Sequence, residues 1–380
     1  MTDISREYQS ELDGLRKGID VIDQEIVELL SKRQKQVDQV VALKKANNLP
    51  VYHPAREEDL ISARRQQARD AGLCPDFIEE LYRIIIHRSR VVQTGQMARK
   101  GVRPGATVLI VGGNGEMGRY FVNWFQGAGY VVRSMGSRDW ENIENLCDGI
   151  DLAIISVPID KTPEIIHRIG PYLPPRAVLI DVTSIKKKPL AAMLEAHSGP
   201  VLGLHPLFGP TTSTLDKQIV VACAGRDDKA CQWVIDQFST WGSIIVTATA
   251  DEHDQVMEFV QALRHFATFC FGQFLAAKKV PLGRTLEFSS PIYRLELGMV
   301  GRLFAQDPGL YAEIIFATKE RRALLKEFIE SLTKNLHMLE TGDKAVFEAE
   351  FKKVAAWFGP FGEQAIRESS FLIDKLIERF

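Results

Sequence analysis

Residues 108–118 read VLIVGGNGEMG, a run of apolar, mostly β-branched residues that flows into Gly113-Asn114-Gly115-Glu116-Met117-Gly118. The pattern predicts a buried strand, a tight glycine turn and a helix opening near Glu116, continued by the apolar positions Phe121, Val122 and Phe125. Such a turn lets the backbone approach a pyrophosphate, and the helix N-terminus holds the anion. A lone GxGxxG is a weak signal, and a glycine-rich turn without a ligand is the bland alternative. Here strand, loop and helix follow in order, so the expectation is a dinucleotide site lined by Gly113, Asn114, Gly115, Met117 and Gly118. The motif begins more than one hundred residues into the chain, so another unit precedes it.

A chain of 380 residues is too long for one ordinary core and suits two or three domains. With 45% hydrophobic and 25% charged residues, no long disordered stretch is expected. A formal net charge of -2 gives no electrostatic reason for nucleic acid or an acidic membrane as partner. Cys74, Cys147, Cys223, Cys231 and Cys270 show neither disulfide nor metal-ligand spacing and read as small buried hydrophobes in a reducing cytoplasm. No metal is expected. No apolar run approaches the roughly 20 residues of a membrane span.

Ahead of the glycine turn the pattern is helical. Leu12, Leu15, Ile19, Ile22, Ile26 and Leu29 recur at steps of three and four, predicting one long helix over residues 5–46, on the order of 60 Å. Residues 47–54 break it, and further helices are expected over 55–70 and 76–96. So long a stripe needs two further helices or a second subunit to cover it, and a homodimer is the economical answer. Continuing the stripe places Arg33, Val37, Val40 and Lys44 on one face, so two cations point where a core should be. Either they reach the helix edge or carboxylates, or they line a pocket for a small polyanion, with Arg16, Arg56-Glu57, Ser89 and Gln93 contributing.

The spacing Arg16, Arg33, Lys44, Arg56-Glu57, Ser89, Gln93 resembles the all-helical chorismate mutase domain, an intertwined dimer. That rearrangement is pericyclic and needs no nucleophile. It needs the reactive conformer held and the charge developing on the ether oxygen stabilised. The resemblance implies that Arg16 from the partner subunit, Arg33 and Arg56 clamp carboxylates. It likewise implies that Lys44 and Gln93 face the ether oxygen, while Glu57 and Ser89 bind the hydroxyl and a carboxylate.

After the glycine turn, strands are expected at 130–135, 152–157, 177–182, 201–204, 219–223 and 243–246, with helices between most of them. This predicts a doubly wound Rossmann-type domain over 104–250, whose ligands sit outside the C-terminal strand ends. Ser156-Val157, Thr183-Ser184-Ile185-Lys186 and His205 in GLHPLFGP fall there. His205 follows a short apolar strand, in a loop stiffened by Pro206 and Pro210. It is either a packed structural histidine or the base that takes a hydroxyl proton as hydride leaves for a nicotinamide. Ser184 would orient the hydroxyl or the imidazole. Lys186 binds a phosphate or carboxylate, or is a solvated loop lysine.

From residue 251 the pattern is nearly all helix, with FVQALRHFATF at 259–269 and SSPIYRLELGMVGRLFAQDP at 289–308. Arg294 and Arg302, eight residues apart on a largely buried helix, need anionic partners, either side chains such as Glu296 or a substrate carboxylate. These blocks, with GLHPLFGP and the N-terminal helices, resemble the bifunctional T-proteins of enteric-type bacteria, chorismate mutase fused to prephenate dehydrogenase. The resemblance implies three domains: a mutase domain at 1–98, the dinucleotide domain, and a helical dimerisation and substrate-binding domain at 251–380. It implies conversion of chorismate to prephenate and then NAD-dependent oxidative decarboxylation to 4-hydroxyphenylpyruvate, with His205 as base assisted by Ser184 and Arg302 on the ring carboxylate. Tyrosine would be the feedback inhibitor.

One departure concerns the cofactor. The acidic residue that binds the adenosine ribose is expected near Gly136, but in the stretch Arg133-Ser134-Met135-Gly136-Ser137-Arg138-Asp139 no carboxylate is expected at the strand end itself. Ser137 and Arg138 could accept a 2′-phosphate, so NAD is expected and NADP stays open. Two other classes remain. Another NAD(P)-dependent hydroxy-acid dehydrogenase with a helical dimerisation domain would not turn over chorismate, and Arg33 and Lys44 argue against it. A nucleotide-sensing regulator would not need His205, Ser184 and Arg302.

Overall fold

Helix α1 spans Asp3–Ala46, α2 Pro54–Asp70 and α3 Pro75–Met97. These bounds come from a computed structural model that describes residues 3–46, 54–97 and 101–377; most of the expected break at 47–54 falls outside them. Among the described residues, only the C-terminal part of α1 is covered within the chain, where Val41 is buried against Val37. Its N-terminal stripe is open, with Leu15, Ile19, Ile22, Ile26 and Leu29 all exposed. Ile61, Ala68 and Ile86 bury the seam of α2 and α3.

The central sheet has seven strands: β1 Thr107–Val111, β2 Val131–Met135, β3 Leu152–Ile155, β4 Val178–Asp181, β5 Val201–Pro206, β6 Ile219–Arg226 and β7 Ile244–Ala248. Their spatial order is β2-β1-β3-β4-β5-β6-β7, with every pair parallel except β5 and β6. Strands β1, β3 and β4 read as unbroken apolar runs because helices cover both faces of a parallel sheet. Val108, Ile110, Leu152, Ile154, Val178 and Ile180 pack on one face with Phe121 and Phe125 of α4 (Glu116–Gly127) and Phe238 of α8 (Asp228–Thr240). Trp241 fills the same core, its ring centroid 4.9 Å from that of Phe125. Between the strands lie α5 (Ile143–Cys147), α6 (Thr162–Ile169) and α7 (Lys187–Ala196).

Thereafter the chain is helical: α9 Ala250–Met257, a π-helical segment Glu258–Leu263, α10 Arg264–Ala277, α11 Leu282–Glu287, α12 Pro291–Phe304, α13 Pro308–Phe316, α14 Lys319–Glu340, α15 Lys344–Phe358 and α16 Pro360–Ile377. Pro291 at the first turn of α12 follows the capping Ser290, whose hydroxyl accepts the Tyr293 N–H. Two compact units result. One comprises Met1–Val157, Ile165–Val182 and Leu190–Ala248; the other Pro158–Glu164, Thr183–Pro189 and Thr249–Phe380. Among the described residues no helix is long and apolar enough to cross a membrane.

Three expectations change. His205 lies within β5, not after it, because the antiparallel neighbour β6 extends the ladder to pair His205 with Val221 and Pro206 with Val220. The helix carrying Arg294 and Arg302 buries only Val300 and Leu303 within its own chain, while Ile292, Met299 and Phe304 are exposed. Of the cysteines, Cys147, Cys223 and Cys231 are buried, but Cys74, in the turn before α3, is exposed.

Candidate active sites

The glycine turn forms a cradle at the C-terminal end of β1, the strand flanked by β2 and β3. Any Cβ at Gly118 would collide with the Gly112 carbonyl, and one at Gly113 with the Ser134 hydroxyl, so the turn closes tightly between β1, β2 and α4. Gly115 is the N-cap of α4 and offers no side chain to its N–H groups, which leaves them for an anion. Met117 packs beneath against the sheet core. Ser156 closes the other side, its N–H donating to Val111 O at 2.8 Å as β3 ends, with Val157 following. A pyrophosphate fits this arrangement.

At the end of β2 the chain turns sharply. Asp139 Oδ2 accepts the Gly136 N–H at 2.7 Å, so a carboxylate does return to the strand end, three residues later than expected. Ser137 and Arg138 at the tip of this turn are exposed.

Among the N-terminal helices, Arg33 of α1 donates to Ser89 Oγ of α3 at 2.7 Å, and Ser89 donates in turn to Ile85 O at 2.8 Å. Gln93, one turn along α3, has a buried Oε1 with no hydrogen bond among the described residues. Burial pulls both the Arg33 guanidinium and the Lys44 ammonium below their ordinary values; at Lys44 the nearby Glu57 opposes this and Arg56 adds to it. Arg33 and Ser89 thus meet across α1 and α3, Lys44 lies near Arg56 and Glu57 of α2, and Gln93 sits one turn along α3 from Ser89. Arg16 does not join them: it lies about 25 Å further along α1 and pairs with Asp13 on the exposed surface.

The dehydrogenase candidates divide between the units. His205, on β5 of the first, is 2% exposed. In the second, the segment Thr183–Pro189 is pinned to α9: Asp254 accepts the N–H groups of Lys186 at 2.7 Å and Lys187 at 3.1 Å. Thr183 Oγ1 donates to Ile185 O at 3.0 Å, and Ile185 packs with Ile159 and Ile314. Ser184 is half-buried and Lys186 wholly buried, which rules out the solvated lysine. Asp254 is held below the usual carboxylate range: burial pushes it up, but bonds from His253, Lys187 and Lys186 outweigh that. Arg294 donates to Leu286 O at 2.6 Å and not to Glu296, while the Arg302 side chain is exposed with no ion pair among the described residues.

Several charged residues were missed from sequence: Asp139, Asp254, Arg90 and Asp216, and Arg321, wholly buried with Nη1 donating to Ile314 O. Only Asp139 had a local signal, an Asp three residues past a glycine at a strand end.

Comparison with known proteins decides the family. The chorismate mutase type II family model matches residues 15–94, the prephenate dehydrogenase nucleotide-binding domain 133–246, and the prephenate dehydrogenase dimerization domain 249–353. The chain is 43% identical to the T-protein of Enterobacter agglomerans, covering 96% of itself and 97% of that protein. It is 40% identical to the T-protein of Haemophilus influenzae, covering 97% of itself and 98% of that protein. This chain belongs to the T-protein family. It is a bifunctional enzyme of tyrosine biosynthesis, a chorismate mutase and a prephenate dehydrogenase using NAD(P). The nucleotide-binding match begins after the glycine turn, so the turn rests on its own geometry. In fold, the chain is similar to a prephenate dehydrogenase of A. aeolicus solved with hydroxyphenyl propionate and NAD+, at a TM-score of 0.53 and 20% identity, over 67% of this chain and 98% of that one.

Proposed function

We propose that the rearrangement of chorismate takes place among Arg33, Lys44, Arg56, Glu57, Ser89 and Gln93, completed by Arg16 of the partner subunit in a homodimer. The observation that carries this is the Arg33–Ser89 bond, one helical turn from a buried Gln93 oxygen that accepts no hydrogen bond among the described residues. A cationic, hydrogen-bonding interior between helices is a poor core and a good receptacle for a dicarboxylate. Arg33 and Arg56 hold the carboxylates, Glu57 and Ser89 orient the hydroxyl and a carboxylate, and Lys44 and Gln93 stabilise charge on the ether oxygen as its bond to carbon breaks. No proton moves, so the gain is positioning and electrostatics. The open stripe on α1 and the apolar face of α12 are the surfaces a homodimer covers.

For the second reaction, Gly113, Asn114, Gly115, Met117, Gly118, Ser156 and Val157 would hold the dinucleotide, with Ser137, Arg138 and Asp139 at its adenosine ribose. Bound there, the nicotinamide supplies the hydride acceptor. His205 takes the hydroxyl proton, Ser184 orients that hydroxyl, and Lys186 and Arg294 shape and charge the segments that carry Ser184 and Arg302. Arg302 pairs with the ring carboxylate until it leaves as carbon dioxide. NAD is the preferred cofactor, with weak discrimination against NADP, and tyrosine is the feedback inhibitor. All five cysteines are unpaired, which suits a reducing cytoplasm.

The test is direct. Purified chain given chorismate alone should form prephenate; NAD added afterwards should be reduced as carbon dioxide is released, and His205→Asn should lose only the second reaction. No turnover of chorismate would overturn the reading of the helical site.

A further inference from the structure

Arg90 lies on α3 next to Ser89, with a side chain 8% exposed, and its guanidinium joins two carboxylates that are far apart in sequence. Nη1 donates to Glu57 Oε2 on α2, and Nε donates to Asp216 Oδ2 at 3.0 Å. Asp216 belongs to the segment that enters β6. It is 4% exposed, and it follows Leu215, a wholly buried member of the sheet core. Lys217, held at φ 58, brings its Nζ to 3.8 Å from the same Glu57 oxygen. His87 Nδ1 stands 3.7 Å from Asp216 Oδ2.

Two features distinguish this cluster from an ordinary surface ion pair. Both arginine bonds are charge-assisted and shielded from water, so they fix the guanidinium plane firmly. Glu57 also receives its contacts through Oε2, and Oε1 accepts no hydrogen bond among the described residues. The buried Asp216 Oδ1 likewise accepts none among them, so the bond Asp216 makes through its side chain is spent on Arg90. A carboxylate held through one oxygen presents the other in a set direction, and holding a group in the reactive geometry lowers the barrier.

We propose that Asp216, a residue of the nucleotide-binding sheet, is a positioning residue for the mutase reaction: through Arg90 it orients Glu57 so that Oε1 meets the chorismate hydroxyl. This rests on the reading above that Glu57 binds that hydroxyl. It makes the sheet part of the mutase site, although the residue concerned lies 126 positions from Arg90.

The experiment is a double-mutant cycle on the full-length enzyme, with both activities measured on each variant. Asp216→Asn should raise KM for chorismate roughly tenfold with a smaller change in kcat, and leave the kinetics with supplied prephenate unchanged. Asp216→Glu should restore part of the loss. Glu57→Gln should cost more than Asp216→Asn, and the double variant should be no worse than Glu57→Gln alone, because Asp216 acts only through Glu57. Additive losses, or equal losses of both activities with a lowered Tm, would make Asp216 merely structural and overturn the proposal. If Glu57→Gln leaves the mutase intact while Asp216→Asn does not, the role of Glu57 itself is wrong. Should Asp216→Asn unfold the enzyme, Lys217→Met and His87→Gln cycled against Glu57→Gln read the same cluster, and additivity there has the same meaning.

Discussion

Asp139 bends back to the end of β2 and accepts the Gly136 N–H at 2.7 Å, giving the strand end a carboxylate that the linear sequence places elsewhere. One of its oxygens is occupied by that bond, and Arg138 beside it is exposed, so the repulsion it exerts on a 2′-phosphate is partial. A Cβ at Gly136 would meet mainly Asn114 Nδ2 at 2.6 Å, the movable end of a side chain, so an acidic residue fits there after a small shift. Gly136→Asp should therefore raise the NAD over NADP preference in kcat/KM by roughly tenfold or more, by like-charge repulsion. Asp139→Asn should lower it. Steady-state kinetics with both cofactors decide the matter, and a wild-type enzyme that already rejects NADP by several hundredfold would refute weak discrimination.

Lys44 should matter to one reaction only. It is half-buried near Glu57, and burial already opposes its charge, so its retention there needs a reason beyond stability. Lys44→Ala should lower mutase kcat by on the order of a hundredfold, as for removal of one electrostatic donor, with dehydrogenase activity on supplied prephenate kept. Parallel assays of the two activities check it. Equal loss of both would assign Lys44 to the scaffold.

The parts legible in the sequence were those encoded over short distances. Strands such as Val108–Val111 announce themselves because a sheet covered on both faces needs unbroken apolar runs, and α1 to α3 because helical periodicity is local. His205 was placed one step past its strand because the pairing that extends β5 comes from β6, and Pro206 reads locally as a loop. The bond from the Lys186 backbone N–H runs to Asp254, 68 residues on, and the Arg90–Asp216 pair spans 126, so no local pattern could show either. Arg33 and Lys44 were conspicuous for a different reason. They break a pattern that is itself easy to see, and such violations are where function shows in a sequence.

His265 on α10 should make the helical unit acid-sensitive. Its ring is 7% exposed and lies edge-on to Tyr311 with centroids 4.8 Å apart, and its Nδ1 finds no hydrogen bond among the described residues. Burial, reinforced by Arg264 and Arg321, pushes its pKa from 6.5 down to about 4. Between those values the unfolded chain binds a proton that the folded one refuses. Its share of stability is thus complete above about pH 6.5 and is lost as pH falls toward about 4, to a limit of about 3 kcal/mol. Urea midpoints across this range should fall less steeply for His265→Phe than for wild type; identical slopes would mean that the imidazole ionises freely in the folded state.

His205 and Arg302 should fail in different ways. A base is needed only as the hydroxyl proton departs, so its removal costs the transition state and not the bound substrate. His205→Asn should therefore lower kcat for prephenate oxidation with little change in KM. A carboxylate clamp acts from the moment of binding, and the exposed Arg302 side chain makes no ion pair of its own that would compete for it among the described residues. Arg302→Gln should chiefly raise KM for prephenate, by roughly a hundredfold if one charged hydrogen-bonding pair is lost, and should change kcat much less. Arg302→Lys should recover only part, because an ammonium cannot reproduce the two-pronged grip of a guanidinium on a carboxylate. Both variants keep the helical site intact, so their mutase activity is the internal control for folding. Were His205→Asn to raise KM alone, or Arg302→Gln to lower kcat alone with mutase activity preserved, the two assignments would have to be exchanged or abandoned.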